Sequence, residues 1–287
     1  MKLCYFVSDL HGKIQRYKKL FDRILIDKPE IVFVGGDLLP SPFDKTWQQE
    51  SAHLDFIGGF LRQNLSELKY ELGSQYPDFM FIMGNDDPKF QESSLLALAA
   101  TDLCEYVHNR QVRIGNYIFY GYNYVPPSPF QLKDWEKYDV SRYVDPGCVS
   151  PEEGVRSVPI SEFEARYSTI ADDLSELVDS SDLSRAVFLF HAPPYRTNLD
   201  RAALDGKFID SVPLDVNVGS IAIRNFIEQK QPYLTLHGHV HESYALTGKW
   251  ADRMGYTHMF SSAYDGEELM LVKFDLDDLS SAEALFI

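Results

Sequence analysis

The fold is decided by a short stretch near the start of the chain, Cys4-Tyr5-Phe6-Val7-Ser8-Asp9-Leu10-His11-Gly12. Its apolar, β-prone half predicts a buried strand over residues 2–8. Asp9 and His11 leave the carboxyl end of that strand two residues apart, so their side chains point the same way. A carboxylate and a neutral imidazole on one turn are a first pair of ligands for a hard or borderline metal ion. An isolated Asp-x-His is equally compatible with a helix cap beside a surface histidine, so the remaining ligands must come from elsewhere in the chain.

Four further buried strands are predicted, and each ends in a cluster of polar residues. They cover residues 30–34, 79–83, 186–190 and 233–236. The clusters that follow them are Gly35-Gly36-Asp37, Gly84-Asn85-Asp86-Asp87-Pro88, His191-Ala192-Pro193-Pro194 and His237-Gly238-His239-Val240-His241. In open α/β sheets ligands bind at the carboxyl ends of the strands. We therefore expect these clusters to share one rim.

The other segments complete an α/β chain. Helices are predicted over residues 12–27, 46–72, 161–178 and 219–230. Ser220 is expected to be the N-cap of the fourth helix. Short β pieces that look antiparallel cover residues 104–108, 111–114 and 117–120. Three later strands are expected at residues 243–246, 258–261 and 269–274, and an acidic tail follows them. Residues 122–160 keep no helical or strand period and form an irregular insert. No repeat or linker marks a second domain, so a single domain over residues 1–287 is predicted.

The composition is that of an ordinary globular protein with a large negative charge. Its 287 residues are 45% hydrophobic and 24% charged, and the formal net charge is −16. Binding to duplex nucleic acid or to an anionic membrane needs a basic surface, so neither is expected, whereas a small phosphorylated substrate can bind at a local cluster of cations. No apolar run reaches membrane-spanning length. Three cysteines and the lack of a recognisable signal peptide predict a reducing, cytoplasmic location.

In sequence order, the strand-end residues resemble the signature of the calcineurin-like metallophosphoesterase superfamily: Asp-x-His, Gly-Asp, Gly-Asn, His and Gly-His-x-His. The resemblance spans Asp9 to His241, most of the chain. It implies an α/β fold, a four-layer α-β-β-α sandwich of two mixed sheets flanked by helices, with two metal ions at one rim. Carried over position by position, it assigns one metal ion to Asp9, His11 and His241, the other to Asn85, His191 and His239, and both to a bridging Asp37.

These residue types suit such a site on chemical grounds. One aspartate can bridge two cations because its carboxylate has two oxygens, and paired catalytic metals lie about 3.5–4 Å apart. Imidazole nitrogen suits Mn, Fe, Zn, Ni or Co, and the carboxylate and amide oxygens distinguish the site from a soft thiolate one. Two divalent cations and two aspartates leave a formal charge of about +2, which a hydroxide and a phosphodiester monoanion would neutralise. The pattern predicts a metal-dependent phosphoesterase in which Asp37 is also catalytic and Asn85 also contacts the substrate.

The sequence departs from the family pattern at Asp86, because many members have a histidine after the asparagine, thought to protonate the leaving group or stabilise the transition state. Asp86 is either a general acid, with a pKa raised by burial or lowered by the metal ions, or a cap and hydrogen-bond partner. An ionised Asp86 would repel a dianionic monoester more than a monoanionic diester, which favours phosphodiesters of small or nucleotide-like molecules. The alternatives are a phosphomonoesterase or phosphoprotein phosphatase, and an inactive metal-binding scaffold for a protein partner.

Other residues near the strand ends are open to two interpretations. Arg196 either clamps a phosphate or is a solvated surface side chain. The insert over residues 122–160 either walls the pocket and stacks a base, or packs as core or as a contact between subunits of a homo-oligomer. Asp87 is expected to orient its loop, and His237 to be a buried, hydrogen-bonded histidine outside the ligand set.

Overall fold

The computed structural model describes residues 2–40, 55–178 and 182–287. Its strands, in chain order, are β1 (Leu3–Val7), β2 (Ile31–Gly35), β3 (Asp78–Ile82), β4 (Glu105–Tyr106), β5 (Gln111–Ile114), β6 (Tyr117–Tyr122), β7 (Ala186–Phe190), β8 (Phe208–Ile209), β9 (Val212–Pro213), β10 (Leu234–His237), β11 (Ala251–Met254), β12 (Thr257–Ser261), β13 (Met270–Asp275) and β14 (Asp278–Phe286). Its α-helices are α1 (Ile14–Asp27), α2 (Arg62–Leu72), α3 (Glu92–Ala99), α4 (Glu162–Tyr167), α5 (Ile170–Leu177), α6 (Ile221–Lys230) and α7 (Ser243–Thr247). Within these ranges no helix is both long and apolar enough to cross a lipid bilayer.

The strands form two mixed sheets of six strands each and one small hairpin. The first sheet has the order β14-β13-β1-β2-β3-β4, and the second has the order β11-β12-β10-β7-β6-β5. Strands β1 to β4 run parallel, as do β6, β7, β10 and β12. The antiparallel pairs are β1 with β13, β13 with β14, β11 with β12, and β5 with β6. Strands β8 and β9 pair only with each other. The parallel centres bring the carboxyl ends of β1, β2 and β3, and those of β7 and β10, to common edges.

The two sheets pack face to face, and helices cover their outer faces. In β1, Cys4 and Phe6 belong to the core between the sheets, whereas Tyr5 and Val7 belong to the core that includes residues of α1. On the other side, Phe188 of β7 lies 5.0 Å, between ring centroids, from Phe226 of α6. Strands buried on both faces are typical of parallel sheets covered by helices. The predicted α/β sandwich of two mixed sheets flanked by helices is confirmed.

Most predicted strands are present, but some assignments were wrong. Residues 243–247 form a helix instead of a strand, ended by Gly248 in the left-handed conformation. A segment of five residues is too short to reveal a helical period, so its type could not be read from pattern. The acidic tail contains β14, an edge strand with one face largely exposed. Strand β4 runs parallel to β3, not antiparallel, while β5 and β6 are antiparallel as predicted.

Two predicted helices differ from the observed ones. The helix over residues 161–178 is broken in two, because the side chain of Thr169 accepts the N–H of Asp172 and starts α5 afresh. The prediction of a helix over residues 46–72 lies outside the described residues as far as residue 54. The described part is a π-helical turn, Phe56–Leu61, that leads into α2. Ser220 caps α6 as predicted, its hydroxyl accepting the N–H of Ile223 at 3.0 Å.

Candidate active site

Four of the seven predicted ligand residues have backbone conformations that residues other than glycine seldom adopt. Their φ angles are positive: 57° at Asp9, 47° at His11, 50° at Asp37 and 73° at His239. The turns after β1 and β2 are tied together, because the N–H of Asp9 donates to Gly36 O at 3.0 Å and the N–H of His11 donates to Asp37 O at 2.8 Å. Strained residues persist where the surrounding structure holds them, and they cluster at functional sites.

Glycines allow the strand ends to approach each other closely. A Cβ atom on Gly84 would lie 2.5 Å from Nε2 of His191 and would also collide with Oδ1 of Asp37. On the opposite side, a Cβ atom on Gly238 would lie 2.7 Å from Oδ2 of Asp9. Real Cβ atoms do not come this near to another heavy atom. The glycines that precede Asn85 and His239 are therefore required by the space that the neighbouring side chains occupy.

The first group of side chains comes from β1, β2 and the loop after β10. One ligand atom each from Asp9, His11, Asp37 and His241 lies within 4.8 Å of every other. Nε2 of His241 lies 3.0 Å from Oδ1 of Asp9 and 3.1 Å from Nε2 of His11. Oδ2 of Asp37 lies 3.8 Å from Nε2 of His11. The four groups converge on a common point from three strand ends.

A second group adjoins the first through Asp37. Nε2 of His191 lies 3.3 Å from Oδ2 of Asp37 and 3.1 Å from Oδ1 of Asn85. The other ring nitrogen of His191, Nδ1, lies 2.8 Å from Gly35 O and donates to it, so Nε2 is the nitrogen that is turned toward the other ligand residues. The ring of His239 lies 5.3 Å from that of His191. The structure thus brings all seven predicted ligand residues to one rim.

The pKa values within the cluster reflect its burial and its charges. Burial would raise the pKa of Asp37, but the adjacent His191 outweighs it and lowers that pKa to about 2. Asp9 is also fully buried, and His241 is the main cause of its strongly lowered pKa. The pKa of His191 is raised to about 10, because Asp37 overcomes the effect of burial. Burial lowers the pKa of His239 to about 3. The aspartates are therefore anionic and His239 neutral, the forms that bind cations.

The residues fit a pair of metal ions. Every donor atom is an imidazole nitrogen, a carboxylate oxygen or an amide oxygen, the set that suits borderline divalent metals. Four donors lie around one point. The second group adjoins it at the same oxygen of Asp37, because Nε2 of His191 lies 3.3 Å from Oδ2, the atom that is also 3.8 Å from Nε2 of His11. No Cβ atom would fit at Gly84 or Gly238, because the side chains of the ligand residues and of Ser8 already occupy that space.

Asp86 lies at the edge of this cluster. Its N–H donates to Oδ1 of Asp37 at 2.8 Å, and its Oδ1 accepts the amide of Asn85 at 3.1 Å. Its other oxygen lies 3.6 Å from Nδ1 of His11. Burial, reinforced by Asp37 and Asp87, raises the pKa of Asp86 to about 7. Asp86 is thus hydrogen-bonded to the ligand set while its carboxylate also faces the cleft described below.

Asp87 fixes the loops that carry the ligands. Its buried carboxylate accepts the N–H groups of Leu38 at 3.0 Å, Leu39 at 2.8 Å and Gly84 at 2.9 Å. These bonds join the turn after β2 to the turn after β3. The prediction that Asp87 orients its loop is confirmed.

Arg16 is a buried residue that the sequence reasoning missed. Its guanidinium donates to Asp9 O at 3.0 Å and to the carbonyl of Gly266. Arg16 lies on the same side of the helix as Leu20 and Ile24, which are buried. That spacing of four residues was the signal available in the sequence. Arg16 holds the backbone of the first ligand turn.

The structure does not bring Arg196 to the metal ligands. Its exposed guanidinium stacks on the ring of Tyr195, 5.1 Å from the centroid, and Arg196 is outside the residues that line the cleft. His237 is buried, as predicted. Its Nδ1 lies 2.9 Å from Ala192 O, and its Nε2 accepts the hydroxyl of Thr235 at 2.7 Å. Both nitrogens of His237 are therefore occupied within the core.

The insert over residues 122–160 contributes both to the core and to the wall of a cleft. Trp135 is fully buried, and Lys133 forms a completely buried ion pair with Glu136. Phe130 and Tyr143, by contrast, are exposed and line a cleft of about 600 Å³. The insert is thus anchored as core at one end and walls the site at the other. The cleft reaches the ligand residues Asp37, Asn85, His239 and His241.

The two-sheet sandwich and the oxygen and imidazole donors at its rim define a metal-dependent hydrolase of phosphoesters. The model of the family described as calcineurin-like phosphoesterase matches residues 4–243, and the chain belongs to that family. Its members typically use two metal ions and act on small phosphorylated substrates. No curated protein is detectably similar in sequence.

Solved structures share the fold at low sequence identity. One crystal structure is 16% identical, with coverage of 99% of this chain and 98% of that one and a TM-score of 0.58. The protein TT1561 of Thermus thermophilus is 15% identical, with coverage of 99% and 98% and a TM-score of 0.55. The phosphopantetheinyl hydrolase from Mycobacterium tuberculosis is 13% identical, with coverage of 91% and 89% and a TM-score of 0.49. At such identities the likeness concerns the fold alone.

Proposed function

We propose that this protein is a phosphodiesterase that uses two divalent metal ions to hydrolyse a small or nucleotide-like phosphodiester. The observation that carries the proposal is the position of Asp37 between two groups of donors. Its Oδ2 atom lies 3.8 Å from Nε2 of His11 on one side and 3.3 Å from Nε2 of His191 on the other. A carboxylate in this position is suited to bridging two cations.

The residues divide into two ligand sets about this bridge. We assign one metal ion to Asp9, His11 and His241, and the other to Asn85, His191 and His239. When bound, the pair of metal ions lowers the pKa of water, binds phosphoryl oxygens and neutralises the charge that develops on them. Mn, Fe, Zn, Ni and Co all match these donors. The protein supplies the fixed geometry: Gly35 O orients His191, and the loop bonds of Asp87 hold Asp37.

The preference for a diester rests on Asp86. Its carboxylate borders the cleft and lies 3.6 Å from His11. Ionised, it repels a dianionic phosphomonoester more than a monoanionic diester. At a pH above the raised pKa of Asp86, we expect Asp86→Asn to lower the ratio of kcat/KM for the diester to kcat/KM for the monoester by roughly tenfold. A ratio unchanged by the substitution would remove the charge of Asp86 as the cause of the preference.

The direct test is hydrolysis by purified protein loaded in turn with each candidate metal. Bis(p-nitrophenyl) phosphate is the diester and p-nitrophenyl phosphate the monoester. We expect turnover of the diester to exceed that of the monoester, and Asp37→Asn to reduce it by roughly 1000-fold. Asp22→Asn, an exposed carboxylate on α1, is the matched control. Faster turnover of the monoester would favour a phosphatase, and metal binding without turnover of either ester would favour a scaffold.

We also propose a reducing, cytoplasmic location. Cys4, Cys104 and Cys148 are all free thiols. Burial raises the pKa of Cys104 to about 12 and of Cys148 to about 11, so both thiols stay protonated. Thiol titration of protein isolated from the cell without reductant should recover three thiols per chain. Recovery of one or none would point to an oxidising compartment.

A further inference from the structure

The cleft beside the candidate metal ligands has two walls built from distant parts of the chain. One wall is the insert, with Pro126, Val140 and Tyr143. The other is formed around the β8–β9 hairpin, with Ile209 and Leu214. The walls meet at one point, where a Cβ atom on Gly147 would collide with Ile209. The cleft is thus a trough bounded by both walls, which extends from the metal ligands to the contact between Gly147 and Ile209.

Its size exceeds what a phosphate group needs. The volume is about 600 Å³, within the range of roughly 300–1,000 Å³ typical of sites for whole small molecules. Two of its aromatic side chains lack cover: Phe130 is 57% exposed and Tyr143 is 68% exposed. Aromatic surface at the mouth of a cleft gains free energy when an apolar group covers it. An organic group larger than methyl is therefore needed to fill the trough.

The charge of the cleft argues against a second phosphate. Among the described residues that line it there are carboxylates but neither lysine nor arginine. Two of these carboxylates are engaged in the walls: Asp139 accepts the hydroxyl of Ser220 at 2.6 Å, and Asp215 accepts the hydroxyl of Tyr195 at 2.5 Å. A phosphate placed away from the metal ligands would meet carboxylates, uncharged polar groups and apolar surface, without a lysine or arginine of the lining to pair with.

We infer that this cleft binds an uncharged, predominantly apolar organic group of the substrate, so that the only phosphate of the diester is the one at the metal ligands. This inference rests on the proposed function, which it deepens by naming the substrate class. It excludes nucleoside diphosphates, triphosphates and bisphosphates from the cleft. It includes phosphodiesters whose organic group carries an aromatic ring or a hydrocarbon arm.

The test compares three p-nitrophenyl phosphodiesters with the same leaving group, whose second ester is methyl, 3-phenylpropyl or 3-phosphopropyl. We expect kcat/KM for the 3-phenylpropyl ester to exceed that of the methyl ester by roughly 10- to 100-fold, mainly through KM. The 3-phosphopropyl ester should be hydrolysed more slowly than the methyl ester. Equal values for the three esters, or preference for the phosphorylated one, would overturn the inference while the phosphodiesterase itself stood.

Matched variants locate the effect in the cleft. The double variant Phe130→Ala, Tyr143→Ala should remove most of the preference for the 3-phenylpropyl ester over the methyl ester. The control is Phe163→Ala, Tyr256→Ala, which removes rings that are 72% and 80% exposed outside the cleft. Val140→Lys, which places a cation in the wall, should raise kcat/KM for the 3-phosphopropyl ester. An equal loss of preference in the control, or no loss in the cleft variant, contradicts the assignment.

A binding measurement separates this inference from the proposed function. Calorimetric titration of the metal-free protein with 3-phenylpropanol should give saturable binding that is weakened in the Phe130→Ala, Tyr143→Ala variant, with a negative heat-capacity change. The phosphate monoester of propane-1,3-diol should not bind under the same conditions. If no ester is hydrolysed with any metal but this binding is found, the phosphodiesterase proposal fails and the apolar subsite stands. Absence of the binding overturns the subsite.

Discussion

Gly84 lies so close to Asp37 that a Cβ atom on Gly84 would collide with Oδ1 of the aspartate. The same Cβ atom would stand 2.5 Å from Nε2 of His191, the nitrogen that faces the second ligand group. Gly84→Ala should therefore displace Asp37 and His191 while leaving the β-sheets intact. A displacement of about 1 Å in a catalytic group can cost roughly 100-fold in rate, and we expect a loss of that size, with reduced metal content measured by mass spectrometry.

Gly59→Ala is the control for this substitution. Gly59 lies before α2, and no heavy atom lies within 4 Å of the Cβ atom that it would gain. Metal content and turnover should be those of the parent protein. If Gly84→Ala binds two metal ions and retains full activity, the strand ends are not packed around a metal site in the manner described.

Asp87→Asn should reduce the free energy of unfolding and loosen the ligand loops. Both oxygens of the buried carboxylate accept backbone N–H groups, from Leu38 and Gly84 on one oxygen and from Leu39 on the other. An asparagine must turn its own NH₂ group toward at least one of these donors. Leaving such buried groups unpaired costs about 1–3 kcal/mol, and urea unfolding measures the difference.

Asp22→Asn provides the comparison, because Asp22 is an exposed residue of α1. Its effect on unfolding should stay within about 0.5 kcal/mol, as for most surface substitutions. Activity should fall in Asp87→Asn as well, since the turn that carries Asp37 loses one of its two bonds to residue 87, the bond from Leu38 or the bond from Leu39. A variant at Asp87 that is fully stable would show that these three bonds do not hold the loops.

The ligand rim was predictable because each ligand stands at a fixed place relative to a strand. An apolar run marks the strand, and the first polar residues after it must lie at its carboxyl end. From this reasoning, Asp9 and His191, which are far apart in the chain, were predicted to lie at the same rim without any knowledge of the loops between them. Asp87 was also recognised, since a carboxylate beside a proline is typical of a loop that must be held in one conformation.

The cleft and the loop supports could not be predicted in the same way. The wall pairs the insert with the β8–β9 hairpin, and the contact of Gly147 with Ile209 joins segments about sixty residues apart that share no pattern. Strand β14 was missed because an edge strand needs only one apolar face. Arg16 was missed because a buried arginine depends on carbonyl acceptors such as Gly266 O, contributed by a remote loop.

Metal ions should stabilise the fold, and their removal should lower Tm. Ligand binding to the native state adds about 2.7 kcal/mol when free metal is 100 times its Kd, which corresponds to roughly 5–10 °C for a domain of this size. Asp9→Asn should lose most of this increment, because Asp9 lies within 4.8 Å of three other donors. His258→Asn, in β12 away from the rim, should keep it. Differential scanning fluorimetry with manganese and with a chelator makes the measurement, and an equal metal response in both variants would contradict the assignment of Asp9.

His108 should make the protein sensitive to acid independently of the metal site. It packs against Tyr124 and Trp135, with centroid distances of 5.5 Å and 5.2 Å, and its Nδ1 accepts the N–H of Asn123 at 3.1 Å. Burial, with smaller effects from Lys89 and Lys137, lowers the pKa of its imidazole from 6.5 to about 3.

The sign of the effect follows from where the proton binds. Between pH 6.5 and about 3 the unfolded chain binds a proton at His108 that the folded protein does not. The free energy of unfolding must therefore fall as the pH is lowered through this range, by up to about 1.4 kcal/mol per pH unit from this residue. His108→Asn keeps an acceptor for Asn123 but cannot be protonated, so its stability should decline less steeply. The comparison is urea unfolding of both proteins at several pH values above 4, where other histidines contribute equally to each and cancel. Parallel declines would mean that His108 takes up its proton without unfolding, and that the aromatic cluster around it admits a charge.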